Sequence, residues 1–203
     1  MAATDPPRRR GRPPSGGREA ILDATLAVLR EQGIANLTSR EVAARAGVSD
    51  ASVYYHFGDR AGLLQAVFAH GMKPLLFMAD LDPETMDPPT AIRGAFSALQ
   101  RFFEDVLPVL HAAQADAELK SVLADYMETQ DLGPHKGVAL LGNYLRREQE
   151  AGRVRADADA DAIALIVIDC AFASVAQRQM RLSKSELLPT SEALLQQLDR
   201  LLN

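Results

Sequence analysis

The chain has 203 residues, 47% of them apolar and 24% charged, enough to bury a sizeable core. Its one cysteine, Cys170, excludes an internal disulfide framework, and the early arginines lead into GRPPSGGREA, not into the apolar run of a secretory signal. The longest apolar run, 162–168, is too short to span a bilayer, so the expectation is a soluble, cytoplasmic chain with no membrane partner.

The net charge of −5 is uneven. Residues 1–60 hold nine Lys/Arg against seven Asp/Glu, whereas residues 61–203 hold thirteen against twenty. A mildly basic head on an acidic body directs any polyanion to the head.

Residues 1–17, MAATDPPRRRGRPPSGG, carry Pro, Gly and Arg without an apolar period and read as a disordered basic arm. From Arg18, the residues Ile21, Leu22, Thr25, Leu26 and Leu29 share one face of a helix over about 18–32, and Gly33 offers a left-handed stop. In the next segment Thr38 and Glu41 have capping-box spacing, Val42, Ala43 and Ala46 form a small apolar face, and Gly47 ends the second helix. Ser49 caps a third helix that runs to about Phe57. Asp59 caps a fourth through Leu63, Leu64, Val67 and Phe68, with Pro74 expected to bend it. DLDPETMDPP, 80–89, breaks the pattern. Beyond it the spacing predicts helices over about 90–113 (kinked near Pro108), 116–129, 135–151, 158–182 and 190–202, with Gly152 as a C-terminal cap. No strand pattern and no internal repeat is visible. The fold class is all-α. A helix-turn-helix head of three helices occupies residues 18–65, and a helical body occupies 66–203.

The second and third helices are about two turns each and need neighbours to be stable. Their short link pivots on Gly47, which makes a helix-turn-helix. At about 100° per residue from Ser49, Val53 and Phe57 fall on the inner side, at about 60°. Tyr55 falls opposite, at about 240°, with Ala51 and Ser52 beside it and Tyr54 and His56 on the shoulders. Small residues at the outer face and hydroxyls at its edges are what a helix entering a major groove presents.

The stretch TSREVAARAGVSDASVYYHFGDRAGLL resembles the DNA-binding segment of the TetR family of transcriptional regulators. The matching positions are Thr38, Ala43, Ala46, Gly47, Val48, Ser49, Tyr54, His56, Phe57 and Leu63, over about residues 18–70. Two positions depart from the family pattern: Ala51 replaces its glycine and Arg60 its lysine. The resemblance implies that Thr38 and Arg40 contact phosphate at the start of the second helix. Ser49, Ser52, Tyr54 and His56 would contact it along the third, and Arg60 would anchor the strand from the fourth. Ala51 and Tyr55 would approach base edges. The basic run Arg8–Arg12 is a candidate for further phosphate or minor-groove contacts.

For the body, AIALIVIDCAFASV is apolar almost all round and must be covered on both faces, and Leu194, Leu195, Leu198, Leu201 and Leu202 add a second stripe. Together they suit a homodimer through the last two helices, as the resemblance also implies. It further implies an apolar or amphipathic small-molecule effector in the body. The candidate lining residues are Phe77, Phe96, Phe102, Phe103, His111, Tyr126, Met127, Tyr144, Phe172 and Gln177, together with Asp169, which suits the dimer seam better.

An enzyme is the competing class. His70, His111 and His135 have no zinc-ligand spacing, no phosphate-binding glycine loop or nucleophile elbow is present, and Cys170 lies in an apolar stretch. No metal, cofactor or catalytic residue is therefore expected. The leading expectation is a repressor that binds a palindromic double-stranded DNA operator as a dimer and is released by its effector. The alternative is a DNA-binding activator or a ligand-independent regulator.

Overall fold

The computed structural model describes residues 17–180 and 188–202, and those residues contain helices and no strand. The order is α1 (Gly17–Gln32), α2 (Ser39–Ala46), α3 (Asp50–Phe57), α4 (Arg60–Gly71), α5 (Leu76–Ala79), α6 (Pro88–Gln114), α7 (Ala117–Thr129), α8 (Pro134–Glu150), α9 (Ala160–Met180) and α10 (Ser191–Leu202). Short 3-10 turns at Ile34–Asn36 and Lys73–Leu75 join some of them. The arm and the expected last turn of α9 fall outside the described residues.

The head is held by its caps and by one apolar cluster. The Glu41 amide donates to the Thr38 hydroxyl at 3.2 Å, starting α2. Only half of the expected capping box forms. The Glu41 carboxylate turns to Arg45 at 3.0 Å, and the Thr38 amide donates to Asn36 O, because the preceding 3-10 turn already supplies an acceptor. Gly47 closes α2 at φ 68°, a left-handed conformation that costs a residue with a Cβ roughly 1 kcal/mol. The Ser52 amide donates to Ser49 at 3.2 Å and the Gly62 amide to Asp59 at 2.8 Å, so α3 and α4 start where their caps predict. Ile21, Leu22, Val28, Val42, Val53, Phe57, Leu63 and Val67 then bury together.

The chain after α4 differs from expectation. The helix does not bend at Pro74 but ends at Gly71, and Pro74 sits inside the 3-10 turn, where its missing N–H costs nothing. Gly71 is there because α6 comes close: a Cβ would lie 2.9 Å from Val106 Cγ2.

In contrast, α6 runs through Pro108 in one piece. A proline leaves the carbonyl four residues earlier without its helical donor. That carbonyl belongs to Glu104, and Arg30 of α1 reaches it at 3.4 Å while pairing with Asp105. Val106, Val109, Ala112 and Ala113 of α6 and Leu119 and Leu123 of α7 belong to the same cluster as the head residues. The head is thus packed onto one end of α6 and α7, and α4 runs unbroken past residue 65.

A second cluster forms the body where α6, α8 and α9 meet, around Ile92, Ala95, Phe96, Leu141, Leu145, Ala164, Val167 and Ala171. Glu148 is fully buried there. Arg153 satisfies it with bonds of 2.6 and 3.2 Å and also reaches Pro83 O, tying the α8–α9 turn to the loop before α6. By length and composition α9 could cross a membrane, with a mean hydropathy of 1.7. However, one side of it packs on α6 and α8 through Ala164, Val167, Ile168, Ala171 and Val175.

Candidate nucleic-acid interface

α3 lies on the head with Val53 and Phe57 turned inward and the opposite face open. Tyr55 is 85% exposed and Tyr54 55%. Ala51, His56 and Ser49 are exposed as well, and Ser52 is half-buried. The Ser49 and Ser52 hydroxyls lie 2.8 Å apart, so each is partly engaged in the cap itself. Tyr55 and His56 meet edge to face at 5.2 Å, which fans the rings outward along the helix.

Thr38 and Arg40 are exposed at the start of α2. Between the first turns of α2 and α4 and the flank of α3 is a recess of about 230 Å³ bordered by Thr38, Ser39, Tyr54, Asp59 and Arg60. Ser39 donates to the Tyr54 hydroxyl at 3.4 Å. Two helix N-termini converge on this recess; the Asp59 carboxylate already occupies that of α4, which leaves the start of α2, with Arg60 beside it, as the end open to an anion. Ser39 was not among the residues expected from sequence. Its only signal was its place directly after the Thr38 cap.

Arg60 is less free than a strand anchor would be. Its Nη2 donates to Ile34 O at 2.9 Å, and its Nη1 lies 3.7 Å from Asp116 of the body. At the N-terminus of α1, Arg18 stacks over Phe57 with 5.3 Å to the ring centre. The charged run Arg8–Arg12 lies outside the described residues.

In the body, α4, α6, α7 and α8 enclose a cavity of about 260 Å³, walled by Phe68, Met72, Leu75, Met78, Phe102, Phe103, Leu110, Met127, Leu132 and Leu140, with Ile168 of α9. Among the described residues Lys136 is the one charged residue at its edge, and it is paired with Asp131. Of the effector candidates, Phe102, Phe103 and Met127 stand in this wall. The others do not. Phe96 is part of the α6–α8–α9 core, and Phe77 packs against that core. Tyr144 is buried with its hydroxyl donating to Met86 O at 2.8 Å, and burial, then Glu148, push its phenol pKa up. Tyr126 packs edge-on against Phe68. His111 borders an open crevice between α1, α6 and the end of α9. Phe172 is 44% exposed on the outer face of α9, beside the exposed Asp169. Helical aromatics here mostly fill the core, and apart from Phe68, Phe102 and Phe103 the cavity is walled chiefly by Leu and Met, which carry no sequence mark of a pocket. Cys170 has its thiol pKa raised by burial and then by Asp169, which disfavours a reactive thiolate.

Among the described residues no group of His, Cys, Asp or Glu is arranged to hold a metal ion. A capped helix-turn-helix head with an open third helix is the architecture of a DNA-binding module. Residues 21–67, from α1 into α4, match the profile of "Bacterial regulatory proteins, tetR family". The match lies within the head and marks it as similar to the DNA-binding segment of that family. The chain is similar to the HTH-type transcriptional regulator SrpR of Pseudomonas putida, 41% identical over 58 residues that make up 29% of this chain and 27% of SrpR. The alignment therefore spans about a quarter of that relative's length. The HTH-type transcriptional regulator TtgR, also of Pseudomonas putida, is 28% identical over 151 residues, 69% of this chain and 71% of TtgR. Among solved structures, the SmeT–triclosan complex superposes with a TM-score of 0.60 at 22% identity, covering 91% of this chain and 90% of that one.

Proposed function

We propose that the protein is a ligand-responsive transcriptional repressor of the cytoplasm. It binds a palindromic operator as a dimer and leaves it when a small apolar effector occupies the body. The observation that carries this reading is the outer face of α3, where Tyr55, His56 and Ala51 are exposed and Tyr54 is half exposed beside Ser39. The recess beside it, with Thr38, Ser39 and Tyr54, suits a backbone phosphate.

Two features of the body support the rest. Leu165, Ile166 and Phe172 of α9 and Leu201 of α10 are large apolar side chains left exposed, which a second copy would cover to place two heads on one duplex. The cavity's Leu, Met and Phe wall favours an uncharged apolar molecule, since a buried charge without a partner is costly. SmeT, which shares the fold, was solved with triclosan.

Selection of bound duplexes from a random pool tests the reading. A palindromic consensus is expected. No enriched sequence from folded protein would contradict it.

A further inference from the structure

We propose that Asp116 competes with DNA phosphate for Arg60, so that the first turn of α7 sets how tightly the head holds DNA. The inference rests on the reading of the head as a DNA-binding module.

The geometry around Arg60 divides its guanidinium between two partners. One end is fixed: Nη2 donates to Ile34 O at 2.9 Å, which holds the side chain in place. The other end, Nη1, is 3.7 Å from Asp116 Oδ2, too far for a good hydrogen bond and close enough for charge attraction. Arg60 also borders the recess formed with Thr38, Ser39 and Tyr54. A phosphate in that recess and the Asp116 carboxylate would therefore draw on the same guanidinium terminus. Lysine, which the family pattern has at this position, lacks the second terminus that Ile34 O holds here.

Asp116 has a second duty that fixes its position. Its Oδ1 accepts from the Glu118 and Leu119 amides at 3.1 and 3.3 Å and so caps α7. The 13 residues of α7 span about 20 Å. Near the far end, Met127 stands in the cavity wall and Tyr126 packs on Phe68. One rigid element thus runs from the cavity to the acid that faces Arg60.

The test compares wild type, Asp116→Asn, Arg60→Gln and the double variant on a duplex that wild type selects, by fluorescence anisotropy over a salt series. Asparagine caps a helix as well as aspartate, so α7 keeps its start and only the charge is lost. Asp116→Asn is expected to tighten binding by about two- to fivefold per head, the range of a partly exposed ion pair. Arg60→Gln is expected to weaken binding and to lower the salt slope by about one per head, as loss of a phosphate contact does. In the Arg60→Gln background, Asp116→Asn is expected to change nothing. Unchanged or weaker binding by Asp116→Asn overturns the inference. Equal tightening in the Arg60→Gln background also overturns it, because the acid would then act by general repulsion of DNA. If folded wild type selects no duplex at all, the DNA-binding reading fails and the inference with it.

Discussion

Single residues at the head decide whether α3 can present its face. Gly62 is the tightest case. A Cβ there would fall 2.2 Å from the carbonyl oxygen of Phe57, a backbone atom that cannot swing away. Gly62→Ala is expected to push α4 off the end of α3 and to cost about 3 kcal/mol by overpacking, read as a lower Tm with operator binding lost in parallel. Tyr54 tests the chemistry of the same corner. It is exposed and in contact with Ser39, so Tyr54→Phe should leave stability unchanged. Loss of its hydroxyl, as a bond to charged phosphate, is expected to weaken operator binding roughly tenfold. A variant that binds as tightly as wild type would remove Tyr54 from the phosphate contacts.

At the scale of elements, legibility followed local chemistry. The starts of α2, α3 and α4 could be read because Thr38, Ser49 and Asp59 each cap by a bond within their own turn. The inward side of α3 could be read because Val53 and Phe57 are four residues apart on an otherwise polar helix. Distant packing decided the rest. That position 71 has no room for a side chain follows from the approach of Val106, some thirty-five residues later in the chain. The path of α6 through Pro108 is accompanied by a donor from Arg30 on α1. The division of Arg60 between Ile34 and Asp116 likewise joins segments that no local pattern connects. The cavity was the least legible feature. It is where α4, α6, α7 and α8 fail to close on one another, and although Phe102, Phe103 and Met127 stood among the candidates, the Leu and Met residues that make up most of its wall read in sequence as ordinary core.

For the whole molecule, the proposed dimer would place two heads on one duplex. The apolar outer face of α9 is the proposed seam, and Ile166, 47% exposed, lies within it. Ile166→Asp should keep the protomer folded, since the side chain leaves no core contact behind. A charge there is expected to shift sedimentation from dimer to monomer and to weaken operator binding by about a hundredfold or more, because the second head no longer benefits from tethering. A variant that stays dimeric would move the seam elsewhere. The measurement closest to the central claim places a DNA-cleaving iron chelate on α3 itself, at Ala51→Cys in a Cys170→Ser background, bound to the selected duplex. Major-groove cleavage is expected in two symmetric clusters, separated by about one helical turn or a multiple of it. A bound complex that cleaves at no preferred position, or at one cluster alone, would contradict it.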